Sequence, residues 1–203
     1  MIRLFVLLCF VGFVSKASAQ VSTDQAINAF YESYKEESSK EYDKAINALK
    51  AVYSESSYEM NLRLGWLYYS KKEYVQSVKH YEIAMKLKPR SIEAMLGYVN
   101  PEAALQNWTS VYETYKKILT HDPNNSLVNY RIALMYYYRK DYVTAQGHLQ
   151  KVLDLYPFDY DSMLLMAQTK VAAGKISEAK AWYEKVLMYN PSDTSIRQYF
   201  NKL

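Results

Sequence analysis

Apolar residues gather at helix-like spacing along this chain and then stop at regular intervals. Ala84 and Leu87 come before Pro89, Ile118 and Leu119 before Pro123, Val152 and Leu155 before Pro157, and Val186 and Leu187 before Pro191. The four prolines share one constant spacing of 34. Proline cannot continue a helix and biases its predecessor away from helical angles. Polar residues suited to helix capping follow each one: Ser91, Asn125 and Ser126, Asp159, and Ser192 and Asp193. Such side chains accept hydrogen bonds from the free N–H groups of a new helix. Each proline therefore predicts a helix end, a turn and a helix start, and the fixed period predicts an array of one repeated helical hairpin.

Other positions keep the same beat. Ser77, Val111, Ala145 and Ala179 are 34 apart and mostly small. Tyr81, Tyr115, Leu149 and Tyr183 follow four places later, and Tyr74, Trp108, Tyr142 and Ile176 precede by three. Gly65, Gly97, Ala133 and Ala167 supply a small residue in the first helix of each unit, where a neighbouring helix can approach closely. This pattern resembles the tetratricopeptide repeat. Leu64-Gly65, Tyr68, Tyr74, Ser77, Tyr81, Ala84 and Pro89 carry the likeness most clearly. Ala133, Tyr136, Tyr142, Ala145, Val152 and Pro157 repeat it, as do Ala167, Gly174, Ala179, Tyr183 and Pro191. The resemblance implies an all-α, right-handed α-solenoid of stacked antiparallel hairpins.

Five units are expected, at 26–57, 58–91, 92–125, 126–159 and 160–193, after a lead at 20–25. The first is degenerate, with Ser33 at the small position. Residues 194–203 read as a short capping helix with Ile196, Tyr199 and Phe200 turned inward. Gly97 falls 32 after Gly65, and Ala133 falls 36 after Gly97. Counted from these residues, the third unit gains two residues near Val99-Asn100-Pro101-Glu102, which predicts a kink or bulge there.

The resemblance also implies a concave face, lined by the first helix of each hairpin, where proteins of this family usually bind peptides. Spacing of four and three places Ile27, Phe30 and Tyr34 on that stripe in the first unit, and Leu62, Trp66 and Tyr69 in the second, with Arg63 beside them. Ala94 and Tyr98 follow in the third, Tyr130, Leu134, Tyr137 and Tyr138 with Leu127 and Arg131 in the fourth, and Leu164, Gln168 and Val171 in the fifth. Trp, Tyr and Arg often anchor interfaces. The expected function is a protein-interaction scaffold that holds a partner's peptide segment or helix. A glycan or small-ligand binder using the same Tyr/Trp face is the alternative. Phe30 and Tyr34, Leu62 and Trp66, and Tyr130 and Leu134 occupy the places where one subset of the family carries a Lys and Asn carboxylate clamp, so that clamp is absent.

Composition supports binding over chemistry. The chain has 203 residues, 22 of them tyrosine, and few glycines or prolines. His80 and His148 sit two repeats apart with no ligand partner one turn away, and His121 ends a helix, so no metal site is expected. Without a phosphate loop or a nucleophile elbow, neither a cofactor nor an enzyme is expected.

At the N-terminus, Arg3, the apolar run Leu4–Val14 and Ala17-Ser18-Ala19 read as a signal peptide cleaved after Ala19. That run is much shorter than the roughly 20 residues needed to span a bilayer. Export to a periplasm or the extracellular space is therefore expected, with no integral membrane span. Removing 1–19 takes Arg3, Lys16 and the single cysteine, leaving 23 basic against 21 acidic residues. That balance does not suit nucleic acid. Self-association through the repeat ends remains open.

Overall fold

The computed structural model describes residues 22–203; the predicted signal peptide at 1–19 lies outside them. Every regular element among the described residues is an α-helix. Two compact units are present, dividing after Tyr53.

In the first unit, α1 (Thr23–Ser38) packs antiparallel to α2 (Tyr42–Lys50), burying Ala29 and Ser33 against Ala45, Ile46 and Leu49. Ser22 caps α1 in a reciprocal box with Gln25.

The second unit holds α3 (Tyr58–Ser70), α4 (Tyr74–Leu87), α5 (Ile92–Ala104), α6 (Trp108–His121), α7 (Ser126–Tyr138), α8 (Tyr142–Leu155), α9 (Tyr160–Ala172), α10 (Ile176–Tyr189) and α11 (Thr194–Phe200). The odd-numbered helices begin at the proline spacing without exception, from Tyr58 to Thr194, and the even-numbered ones do the same from Tyr74 to Ile176. Consecutive helices pack pairwise, so the unit is a stack of hairpins, an α-solenoid.

Local chemistry repeats with the helices. Ser57, Ser91, Asn125, Asp159 and Asp193 each accept a backbone N–H in the first turn of an odd-numbered helix. Inside each hairpin the turn passes through one left-handed residue: Lys72, Gln106, Lys140 and Gly174. The residue after it donates its N–H five places back, as from Glu73 to Tyr68 and Asp141 to Tyr136, which closes the preceding helix.

The expected insertion at 99–102 is not present. α5 runs unbroken with the same 13 residues as its counterparts, and Pro101 lies in its last turn. Val99, not Gly97, holds the register of Gly65, Ala133 and Ala167. Gly97 is small for another reason. Tyr81 of α4 lies against both Gly65 and Gly97, so its ring fills a slot between α3 and α5 where two Cβ atoms are missing.

The hairpins differ at their crossing points. Gly65 meets Ser77, whose hydroxyl donates to the Gly65 carbonyl at 2.7 Å. Ala133 with Ala145 and Ala167 with Ala179 are equally small pairs, and all four are fully buried. α5 and α6 instead bring Val99 and Val111 into one cluster. Two valines wedge a crossing that small residues close elsewhere, and α5 and α6 pack less extensively than the other hairpin pairs of this unit. The hairpin of α9 and α10 is a control. It lacks the polar ties described next, yet its two alanines hold it tight.

Those ties occur in alternate hairpins. Asn61 donates its amide to the Glu55 and Ser57 carbonyls, leaving its oxygen to accept from His80 Nδ1 at 3.0 Å. Tyr68 stacks on the His80 ring at 5.4 Å. Asn129, His148 and Tyr136 repeat the arrangement two hairpins later, at 2.8 Å and 6.1 Å. Met95, Thr114 and Glu102 stand at these places in α5 and α6.

Candidate functional site

A cavity of about 760 Å³ lies at the valine crossing, beside α5, α6 and α7. Leu96, Val99, Asn100 and Ala103 line it from α5, and Trp108, Val111 and Tyr115 from α6. α7 contributes Leu127, Arg131, Leu134, Met135 and Tyr138, and Arg139 follows at its end. α3 packs on α5 and α7 on α9, but no comparable packing joins α5 to α7. Leu127 and Trp108 stay about half exposed in consequence, and Tyr138 is 74% exposed.

Arg131 and Arg139 are the charged residues of this lining, and both are solvent-exposed. The Arg139 guanidinium carbon lies 5.5 Å from the centre of the Tyr112 ring. Burial pushes the Tyr115 phenol up in pKa, and the positive charge of Arg131 opposes that shift.

A second concavity of about 570 Å³ follows along the stack. Tyr137, Tyr138, Gln168 and Val171 line it, with Tyr183 and with Ile196 and Tyr199 of α11. Tyr137 meets Tyr138 edge-on, with centroids 5.5 Å apart.

The structure thus gathers Arg131, Leu134 and Tyr138 in the first cavity, and Tyr137 and Tyr138 in the second. Tyr130 and Tyr137 are half-buried and pack on the cluster of Ala133, Leu149 and Met163. Trp66 is 43% exposed on α3, with Tyr69 at 6.0 Å and Tyr74 beyond it at 5.9 Å. Leu62 packs against Tyr58, Ala84 and Ala94. In the first unit Phe30 is half-buried and Tyr34 exposed, with rings 6.5 Å apart.

Two expected groove residues face elsewhere. Arg63 is only 7% exposed, so it offers no cation at the surface. Tyr98 stands in the register of Leu64, Ile132 and Met166, a core row. Its hydroxyl bonds to Ser110 on α6 at 2.9 Å. Besides Val99, the α5 residues that line the cavity are Leu96, Asn100 and Ala103. Counting one repeat back from Tyr130, Leu134 and Tyr137 finds all three; counting from Gly97 misses them by two places, roughly 200° around a helix.

Among the described residues no group of three or more His, Cys, Asp or Glu side chains could hold a metal ion, and no helix is long and apolar enough to cross a membrane.

Comparison with known proteins agrees with this architecture. Residues 136–198 match the tetratricopeptide repeat family. The stack has the tetratricopeptide-repeat fold. The tetratricopeptide fold extends well beyond the matched residues. A tetratricopeptide repeat protein from Parabacteroides merdae superposes with a TM-score of 0.76 at 16% identity, over 86% of this chain and 70% of its own. A crystal structure of MamA gives 0.72 at 15% identity, over 86% of this chain and 96% of its own. MamA from Desulfovibrio magneticus gives 0.71 at 16%, over 84% and 98%. At such identities the likeness is one of fold. A search of curated proteins finds no significant match. Tetratricopeptide arrays are in general protein-interaction scaffolds, and this fold is of that kind.

Proposed function

We propose that this chain is an exported scaffold that holds a segment of a protein partner in the groove beside α5, α6 and α7. One observation carries the reading: an open, mainly apolar cavity of about 760 Å³ beside the hairpin whose two helices pack least extensively in the second unit. Cavities of roughly 300–1,000 Å³ are the usual size of ligand sites. The neighbouring concavity at Tyr137, Tyr138 and Val171 extends the surface along the stack. The rings exposed there, with Arg131 beside them, are the residue types that anchor interfaces. No catalytic role is assigned to any residue. Export follows from the signal-like run at 1–19.

A photo-crosslinking amino acid placed at Leu127 or Tyr138, and separately at the exposed Lys79 or Lys117 on even-numbered helices, tests the groove. Covalent capture of one discrete protein from the source cells at Leu127 and Tyr138, and not at Lys79 or Lys117, is the expected result. Equal labelling at all four positions, or none at the first two, would remove the groove from the proposal.

A further inference from the structure

Arg131 and Arg139 bring two positive charges to one side of a cavity that is otherwise mainly apolar. They stand eight residues apart, and therefore about 12 Å apart along the helical rise. No carboxylate among the described residues lies within ion-pair distance of either. Lys116, which shares the Tyr112 ring with Arg139, is by contrast paired with Glu113 at 2.7 Å. Asp141, the nearest acid along the chain from Arg139, has its oxygens occupied by Thr144. Between the two arginines the lining is Leu134, Met135 and Tyr138, faced by Val99 and Ala103.

We infer that the partner segment is acidic as well as apolar: it carries two carboxylates spaced to meet Arg131 and Arg139, with bulky apolar side chains between them. This rests on the groove reading above and gives that partner its chemistry. Each guanidinium presents several donors in a fixed fork that matches a carboxylate. Burying apolar side chains between them displaces water from Val99, Ala103 and Leu134, and it lowers the local dielectric around both ion pairs. Seven or eight residues separate the carboxylates if the segment is helical, and about four if it is extended. A single-headed amphiphile would satisfy one arginine and leave the other without a counter-charge.

The test is a selection from a displayed library of random 16-residue peptides against the whole chain. Enriched peptides are then measured by fluorescence anisotropy on wild type, on Arg131→Gln/Arg139→Gln and on Ala103→Phe, each confirmed folded by circular dichroism. The expected result is enrichment of peptides with two acids at one of those spacings around Leu, Phe or Trp. Affinity should fall at least tenfold in the double Gln variant and should be lost in Ala103→Phe, where the added ring fills the cavity. Peptides that enter the cavity, as shown by loss in Ala103→Phe, but lack the acids or ignore the double Gln change overturn the acidic partner and leave the groove reading standing. If no peptide is enriched, or the enriched peptides ignore Ala103→Phe, both readings fall. Dodecanoate is titrated in parallel; tight 1:1 binding of it with no peptide bound assigns the cavity to an amphiphile and overturns the inference.

Discussion

A Cβ placed on Gly97 would overlap the Tyr81 ring, reaching 2.6 Å from Cζ, while the opposite edge of that ring already rests on Gly65. One phenol thus fastens α4 to both α3 and α5, and its burial pushes its pKa far above the usual tyrosine value.

Gly97→Ala should destabilise the protein by about 1–3 kcal/mol through overpacking, although helix propensity alone favours Ala by about 1 kcal/mol. Gly147 in α8 has open space around it, so Gly147→Ala should stabilise by about 1 kcal/mol. Urea unfolding of the two variants checks the contrast. A more stable Gly97→Ala protein would show that the slot can yield.

The valine wedge makes a different forecast. In Val99→Ala/Val111→Ala, α5 and α6 should close on each other as the alanine-paired hairpins do. A crystal structure of the variant should show the cavity reduced. Its stability loss should stay below the roughly 2–5 kcal/mol expected of buried truncations that leave voids. An unchanged helix separation would show that the valines do not hold the cavity open.

Gly174 is the one left-handed hairpin turn of the second unit made by glycine; Lys72, Gln106 and Lys140 hold the equivalent conformation. Nothing lies near its missing Cβ, so Gly174→Ala should cost about 1 kcal/mol from backbone conformation alone. Lys140→Gly should be neutral or mildly stabilising. Thermal melts of the pair test this, and a Gly174→Ala melt at the wild-type temperature would contradict it.

Burial, with the nearby Lys151, holds the His148 pKa below its ordinary 6.5. The unfolded chain therefore takes up a proton there more readily than the folded one. The contribution of His148 to stability is present above about pH 6.5 and declines as pH falls below it. His148→Gln should flatten the loss of stability between pH 7 and pH 5.5 in denaturant titrations. Parallel pH profiles for variant and wild type would refute it.

Much of the stack is legible in Pro89, Pro123, Pro157 and Pro191, because a proline and a capping side chain act locally and leave a local signature. Ser91, Asn125, Asp159 and Asp193 cap as expected for the same reason. The third hairpin is harder to place because a glycine can be small for either of two neighbours. Gly97 makes room for Tyr81 of the preceding hairpin, whereas the hairpin's own crossing residue is Val99. A count that starts from Gly97 turns Tyr98 outward and hides Leu96, Asn100 and Ala103. The Asn–His–Tyr ties leave a trace in the sequence too, since Asn61 and Asn129 share the two-repeat spacing of His80 and His148. Their partnership needs the two helices side by side before it can be seen.

Val99 and Val111 open the array by addition rather than deletion, without altering loop length, helix number or register. Valine and alanine codons differ by a single base. A lineage carrying this array can therefore gain or close a groove through two point changes, with every other repeat left as it was.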